Sequence, residues 1–221
     1  MTETLEAPRF AVVGRVNKGK SSVIATLAED DRIAVSPLPG TTTEVSEFPV
    51  AVDGRTLFTL IDTPGFEQAA LALATLEQTQ VSADRRAERV REFVEHARVR
   101  GEFPEECKLL TPILAGAAIL YVVDGEKPYR ENYRAEMEIL RWTGQPSMAL
   151  INRLGSGEHV EGWRRALDQY FRVVREFDAQ KAGLTERVRL LTTLRELHEP
   201  FRVPVQQAID ALLAEDERRR T

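Results

Sequence analysis

Residues Gly14-Arg-Val-Asn-Lys-Gly-Lys-Ser21 follow the spacing G-x-x-x-x-G-K-[ST], a pattern suited to holding phosphate. Glycine at both ends lets the backbone turn tightly and present successive N–H groups to phosphate oxygens at close range. Lys20 stands where an ammonium reaches the β- and γ-phosphates, and Ser21 where a hydroxyl helps hold Mg²⁺. Gly14, Asn17, Lys18, Gly19, Lys20, Ser21 and Ser22 make up the expected phosphate-binding set. Two further stretches follow in order. Residues 37–43 read Pro-Leu-Pro-Gly-Thr-Thr-Thr, and residues 62–65 read Asp-Thr-Pro-Gly. An aspartate at the second place reaches Mg²⁺ through its water shell, and Gly65 can offer an N–H to a γ-phosphate. A threonine of residues 41–43 completes the metal shell only while that phosphate is present, which turns hydrolysis into a conformational signal.

These groups need a scaffold that converges on one edge. Phe10-Ala-Val-Val13 reads as a buried strand, and residues 21–27 place Val23, Ile24 and Leu27 at helical spacing. Strand, glycine loop and helix N-terminus bring a phosphate onto a helix dipole. Residues 45–52 and 55–61 flank Asp53-Gly54, a hairpin signal, with Pro49 assigning the first strand to a sheet edge. No strand is expected over residues 66–116. That stretch reads as helices over 69–76, from an N-cap at Ser82 to Gly101, and over 109–116. In the second of these, Val90, Phe93, Val94 and Ala97 form one apolar stripe opposite a charged, solvated face. Strands at 117–123, 147–151 and 171–175 alternate with helices at 132–142 and 160–170. A helix over 186–213 is expected to break at Pro200 or Pro204. This order predicts an α/β fold: a mostly parallel sheet, one antiparallel edge strand and helices on both faces.

Composition sets bounds. The 221 residues are 43% apolar and 29% charged, enough for a sizeable core. A net charge of −5 gives no support for nucleic acid or an anionic membrane. A single cysteine, Cys107, allows no internal disulfide and suits a reducing cytoplasm; it reads as a buried, unreactive thiol. No run approaches the roughly 20 apolar residues of a membrane span. The first nine residues are acidic and lack the apolar core of a signal peptide. His96, His159 and His198 lack metal-ligand spacing, and Asp124 reads as a structural turn residue.

Taken together, the three motifs resemble the translation-factor-related (TRAFAC) GTPases, and among them the Era/MnmE-like bacterial group. The resemblance spans residues 10–152 at least. It is closest to members in which a G domain precedes a C-terminal region of unknown function, a region expected to be missing here. It implies a Ras-like G domain over 9–214, with a flexible N-terminus at 1–8 and a charged tail at 215–221. Residues 66–116 would comprise switch II plus a helical insertion. It also implies GTP and GDP as ligands, with Ser21, Thr42 and Asp62 on Mg²⁺, Gly65 as γ-phosphate sensor and Lys20, Asn17 and Thr42 in catalysis. The neighbouring threonines leave Thr42 ambiguous by one position. In potassium-dependent members an asparagine at the place of Asn17 helps hold K⁺; the alternative is that Asn17 only suits the loop's geometry. Lys18 beside it would repel a cation.

Two departures bear on function. Phe66 occupies the place where Ras-like enzymes carry the water-orienting glutamine, so slow intrinsic turnover is expected. The guanine-reading motif Asn-Lys-x-Asp is replaced by Asn152-Arg-Leu-Gly155. Asn152 keeps its contact to the base and the Arg153 stem can cover the ring, but Gly155 supplies no carboxylate. Glu158 or another acid must replace it, or guanine preference is weak. Around Phe177-Asp-Ala-Gln-Lys181 only Ala179 matches the family's Ser-Ala-Lys loop. The resulting expectation is a GTP-hydrolysing switch, with a homodimer or effector surface on 66–116. The alternatives are a nucleotide-binding scaffold with negligible turnover and a nucleotidase that accepts ATP.

Overall fold

The short apolar runs assemble into one six-stranded sheet. The structure, a computed structural model, describes residues 7–15, 19–28, 45–153, 155–178 and 183–220. The strands are β1 (Arg9–Val13), β2 (Ser46–Val52), β3 (Arg55–Asp62), β4 (Ala118–Asp124), β5 (Ser147–Asn152) and β6 (Val173–Phe177). Their spatial order is β2-β3-β1-β4-β5-β6. Only the β2–β3 pair is antiparallel. Asp53 and Gly54 join that pair with φ of 49° and 78°, the positive angles that a tight hairpin turn demands. β2 is the edge strand, where Pro49 is tolerated.

Burial divides the core into two layers. Against one sheet face pack α2 (Ala69–Glu77), α3 (Arg86–Arg100), α4 (Pro104–Leu114), α5 (Arg134–Trp142) and α6 (Val160–Leu167). Against the other pack α1 (Lys20–Ala28), α7 (Leu184–Glu196) and α8 (Arg202–Arg220). Alternate residues of each strand serve the two layers: Ala11 and Val13 face the first, Phe10 and Val12 the second. Phe10 meets Phe58 and Phe201 edge-on at 5.8 and 5.2 Å, which fastens the start of α8 to the sheet.

Residues 66–116 fold into α2, α3 and α4, with no strand. The stripe of Val90, Phe93, Val94 and Ala97 is buried, and Gly101 ends α3 in the left-handed conformation at φ 68°. The opposite face, with Glu88, Glu95 and Val99, is exposed as expected, and arginines at the margin of the stripe close onto neighbouring helices. Arg89 donates to the carbonyls of Thr75 and Leu76, closing the C-terminal end of α2, and Arg86 lies 4.9 Å above the Trp142 ring.

Several boundaries differ from the sequence reading. Ser82 precedes a 3₁₀ turn, Ala83–Arg85, and makes no side-chain cap. α4 starts at Pro104, five residues before the expected Leu109, because a proline fits the first helical turn without loss of a hydrogen bond. α6 ends at Leu167, and the last strand lies two residues later than expected. The C-terminal break falls at a 3₁₀ turn, Glu199–Phe201, while Pro204 sits in the first turn of α8. The charged tail at 215–220 continues α8 as helix.

Candidate nucleotide site

The carboxyl ends of β1, β3, β4 and β5 meet at one edge of the sheet. Register pairs Val12 with Asp62, Val13 with Tyr121, and Asp124 with Asn152. The glycine loop therefore leaves β1 directly beside Asp62-Thr-Pro-Gly65, and the Asn152 segment emerges nearby. Ligands of open α/β sheets bind outside such strand ends.

Both glycines of the loop are required by their neighbours. Gly14 has φ 154°, and a Cβ there would come within 2.3 Å of the Val122 carbonyl oxygen. Gly19 has φ 92°, and its Cβ would fall 1.9 Å from Nδ2 of Asn152. Lys20 opens α1 with its side chain 7% exposed. Its Nζ donates to the carbonyls of Gly14 at 2.9 Å and Arg15 at 3.3 Å, folding the ammonium over the loop. Burial lowers the Lys20 pKa, against the raising influence of Asp62 and Glu136. An ammonium held with so little water is suited to an anionic ligand. Ser21 and Ser22 are exposed in the first turn of α1.

Beneath the loop lies a buried polar cluster that the motifs do not announce. Glu136, 1% exposed, accepts from Arg15 Nε at 2.6 Å and from the Tyr121 hydroxyl at 2.8 Å. Burial raises the pKa of Glu136, and the Arg15 guanidinium opposes that shift by charge and hydrogen bond. Arg15 also stacks 3.9 Å above the Tyr133 ring. The cluster fixes where the chain leaves β1.

Asp62 and Thr63 are buried, and the Thr63 hydroxyl donates to the Val12 carbonyl at 2.8 Å, binding the Asp62–Gly65 segment to β1. Phe66 packs against the first core layer, as an apolar residue there should. Past it, the insertion supplies an unforeseen anchor. Glu106 of α4, fully buried, accepts from the backbone N–H groups of Glu67 and Gln68 at the start of α2. Phe66–Leu71, Arg15, Arg130 and Tyr133 line a cleft of about 990 Å³ alongside switch II.

At the base-reading end, the Asn152 side chain is fully buried, and its amide atoms have no hydrogen-bond partner among the described residues. Arg153 is exposed and leans toward Glu176 at 3.7 Å. The acid beside Gly155 is Glu126, not Glu158: its Oε1 accepts from the N–H groups of Gly155 and Gly157, each at 3.0 Å. Asp124 accepts from the Glu126 N–H at 3.0 Å, the turn role expected of it. Cys107 is buried, and burial raises its thiol pKa, which disfavours the reactive thiolate.

Asn17, Lys18 and Thr42 lie outside the described residues, as do Ala179 and Lys181. Among the described residues no group of three or more His, Cys, Asp or Glu side chains could form a metal cage. No helix among them is long and apolar enough to cross a membrane.

Comparison with known proteins fits this geometry. The family model described as 50S ribosome-binding GTPase matches residues 9–153, and a domain of unknown function, DUF3482, matches residues 164–221. A region of unknown function was expected to be missing. The second match instead runs through β6, α7 and α8 of this chain. GTPase Der of Herminiimonas arsenicoxydans is 40% identical over 73 residues, covering 33% of this chain and 16% of that protein. The tRNA modification GTPase MnmE of Synechococcus sp. (strain CC9902) is 40% identical over 81 residues, 34% of this chain and 18% of its own length. The chain thus spans under a fifth of these relatives. Aquifex aeolicus Era bound to GDP and AlF₄⁻ superposes with a TM-score of 0.53 at 17% identity, over 85% of this chain and 56% of that one. Era bound to MgGDPNP and 16S ribosomal RNA superposes at 0.51 and 17%, over 85% and 55%. At that identity the superpositions establish the fold, and the family match establishes kinship. With its Era/MnmE-like motifs set on that fold, the chain belongs to the family described as 50S ribosome-binding GTPase.

Proposed function

We propose that this chain binds GTP with Mg²⁺ and hydrolyses it to GDP and phosphate as a slow molecular switch. The observation that carries the reading is Lys20. Its buried ammonium lies over the carbonyls of a loop that starts and ends on glycines of positive φ, and that loop leaves β1 where Val12 is paired with Asp62. That arrangement supports phosphate binding more directly than any other group among the described residues.

The donor set suits Mg²⁺. Asp62 ends β3 beside Val12 of β1, and Ser21 lies in the first turn of α1. One carboxylate and one hydroxyl are hard oxygen donors, and with phosphates and water they match the ion's octahedral preference better than an all-protein cage would. Thr42 is the proposed third protein donor. The bound ion would neutralise charge on the β- and γ-phosphate oxygens. The protein's own part is to orient the phosphates through the loop N–H groups and Lys20, and to register the γ-phosphate through the Gly65 N–H. No side chain of Phe66 can orient water, so turnover should be slow unless K⁺ beside Asn17 supplies charge at the phosphates.

A homodimer or effector protein is proposed to read the switch through the 66–116 segment. The anchoring of α2 by Glu106 supports this, because it links the start of switch II to a surface carrying the exposed Leu71 and Val99. A cytoplasmic location is proposed with it. Calorimetric titration of the nucleotide-free protein with GDP, GTP, ADP and ATP tests the function. Tight, Mg²⁺-dependent binding of GDP and GTP supports it, and equal affinity for the adenine nucleotides contradicts guanine specificity.

A further inference from the structure

We propose that Glu126, from the loop after β4, supplies the guanine-reading carboxylate that position 155 lacks. This rests on the guanine-nucleotide reading above. The geometry is specific. A Cβ built on Gly155 would lie 2.9 Å from Oε2 of Glu126 and 3.2 Å from its Cδ. The Glu126 carboxyl group thus occupies the space into which a side chain at 155 would project. Gly155 is the residue that leaves room for it, and any larger residue there must push Glu126 aside.

Glu126 is held for this role from two directions. Its own N–H is fixed by Asp124, and the Gly125 N–H donates to the Asn152 carbonyl at 2.9 Å, so the loop is fastened to the Asn152 segment. Oε1 is taken up by the N–H groups of Gly155 and Gly157. Among the described residues Oε2 accepts only from the Ser156 hydroxyl, at a long 3.5 Å. A carboxylate offers about four lone-pair sites, so Oε2 keeps capacity to accept further hydrogen bonds. Guanine presents N1–H and N2–H₂ as adjacent donors, which a carboxylate accepts. Adenine presents a lone pair at N1, which a carboxylate repels. The acid absent from the Asn152-Arg-Leu-Gly155 segment is restored through space.

The test is calorimetric titration of the whole chain with GDP, XDP (whose xanthine base carries an oxygen in place of the 2-amino group) and ADP. Wild type should prefer GDP to ADP. Glu126→Gln should weaken GDP by about 10- to 100-fold, the range for losing charge-assisted hydrogen bonds to one carboxylate oxygen. The same variant should strengthen XDP, since its amide can donate to the 2-oxo group, and should leave ADP unchanged or tighter. Glu126→Ala combined with Gly155→Asp should restore GDP preference by returning the carboxylate to position 155. Weakening of GDP, XDP and ADP by one common factor would reduce Glu126 to a turn-holding residue and overturn the proposal. So would unchanged GDP preference in Glu126→Gln. Wild type that binds GDP and ADP equally would overturn it while leaving a nucleotide site. Wild type that binds none of the three would remove the nucleotide reading together with the proposal.

Discussion

The Asn152 side-chain amide occupies the space a Cβ on Gly19 would need, with only 1.9 Å between that Cβ and Nδ2. The glycine loop proposed to cradle phosphate and the asparagine proposed to meet the base are therefore packed on each other. Gly19 also holds φ at 92°, which costs an L-residue about 1 kcal/mol or more. Gly19→Ala should consequently lower GDP affinity by at least about 100-fold, combining steric loss at both ends of the nucleotide with strain. Titration of GDP into the variant, with circular dichroism to confirm folding, checks this.

Glu106 offers a different lever, acting on switch II without touching nucleotide. Its Oε1 accepts two backbone N–H groups in a fully buried setting. Glu106→Ala should destabilise the protein by about 1–3 kcal/mol by leaving those N–H groups unsatisfied. Amide hydrogen exchange should accelerate first at residues 67–77, before the strands loosen.

Lys20 gives the account a pH dependence. Burial depresses its pKa below 10.5, so in the free protein the ammonium gives up its proton earlier than in an unfolded chain. That difference contributes stability above 10.5, and the contribution is lost as pH falls through the depressed value. Bound phosphates favour the charged form and return the pKa upward. Nucleotide binding therefore takes up a proton between the two values, and GDP affinity should fall as pH rises through that window. Calorimetry at alkaline pH in buffers of different ionisation enthalpy measures the uptake. Lys20→Arg, which stays protonated, should abolish it.

A control lies on the exposed face of α6. Gly162 is exposed inside α6, has no positive φ, and has open space where a Cβ would go. Gly162→Ala should stabilise the protein by about 0.5–1 kcal/mol, with unchanged nucleotide affinity. Denaturant unfolding beside GDP titration reads both.

How much of this was legible in the sequence depended on how local each signal was. Asp53-Gly54, the Val90–Ala97 stripe and Gly101 encode their turn, face and helix end within a few residues, and the fold follows them. The start of α4 at Pro104 was not read, because a proline starts a helix or stops one depending on which N–H groups need partners. The loop, Asp62 and Asn152 were singled out because motif spacing is local, and the sheet brings these positions to one edge. Glu106 and Glu126 were invisible as site residues. Each acts on a segment roughly 30 or 40 residues away in sequence, and a lone glutamate in a loop or helix carries no mark of what will pack against it. Glu158 was named from proximity in sequence, whereas the fold brings Glu126 to Gly155 from the neighbouring strand's loop.

The central claim is tested most directly by phosphate release from GTP and ATP by wild type and Lys20→Ala, with Mg²⁺ in K⁺ or Na⁺. The account predicts slow release from GTP above the buffer rate, lost on Mg²⁺ chelation and in Lys20→Ala, with ATP far slower. Release at the buffer rate from GTP in both salts, or equal rates with ATP, would contradict it.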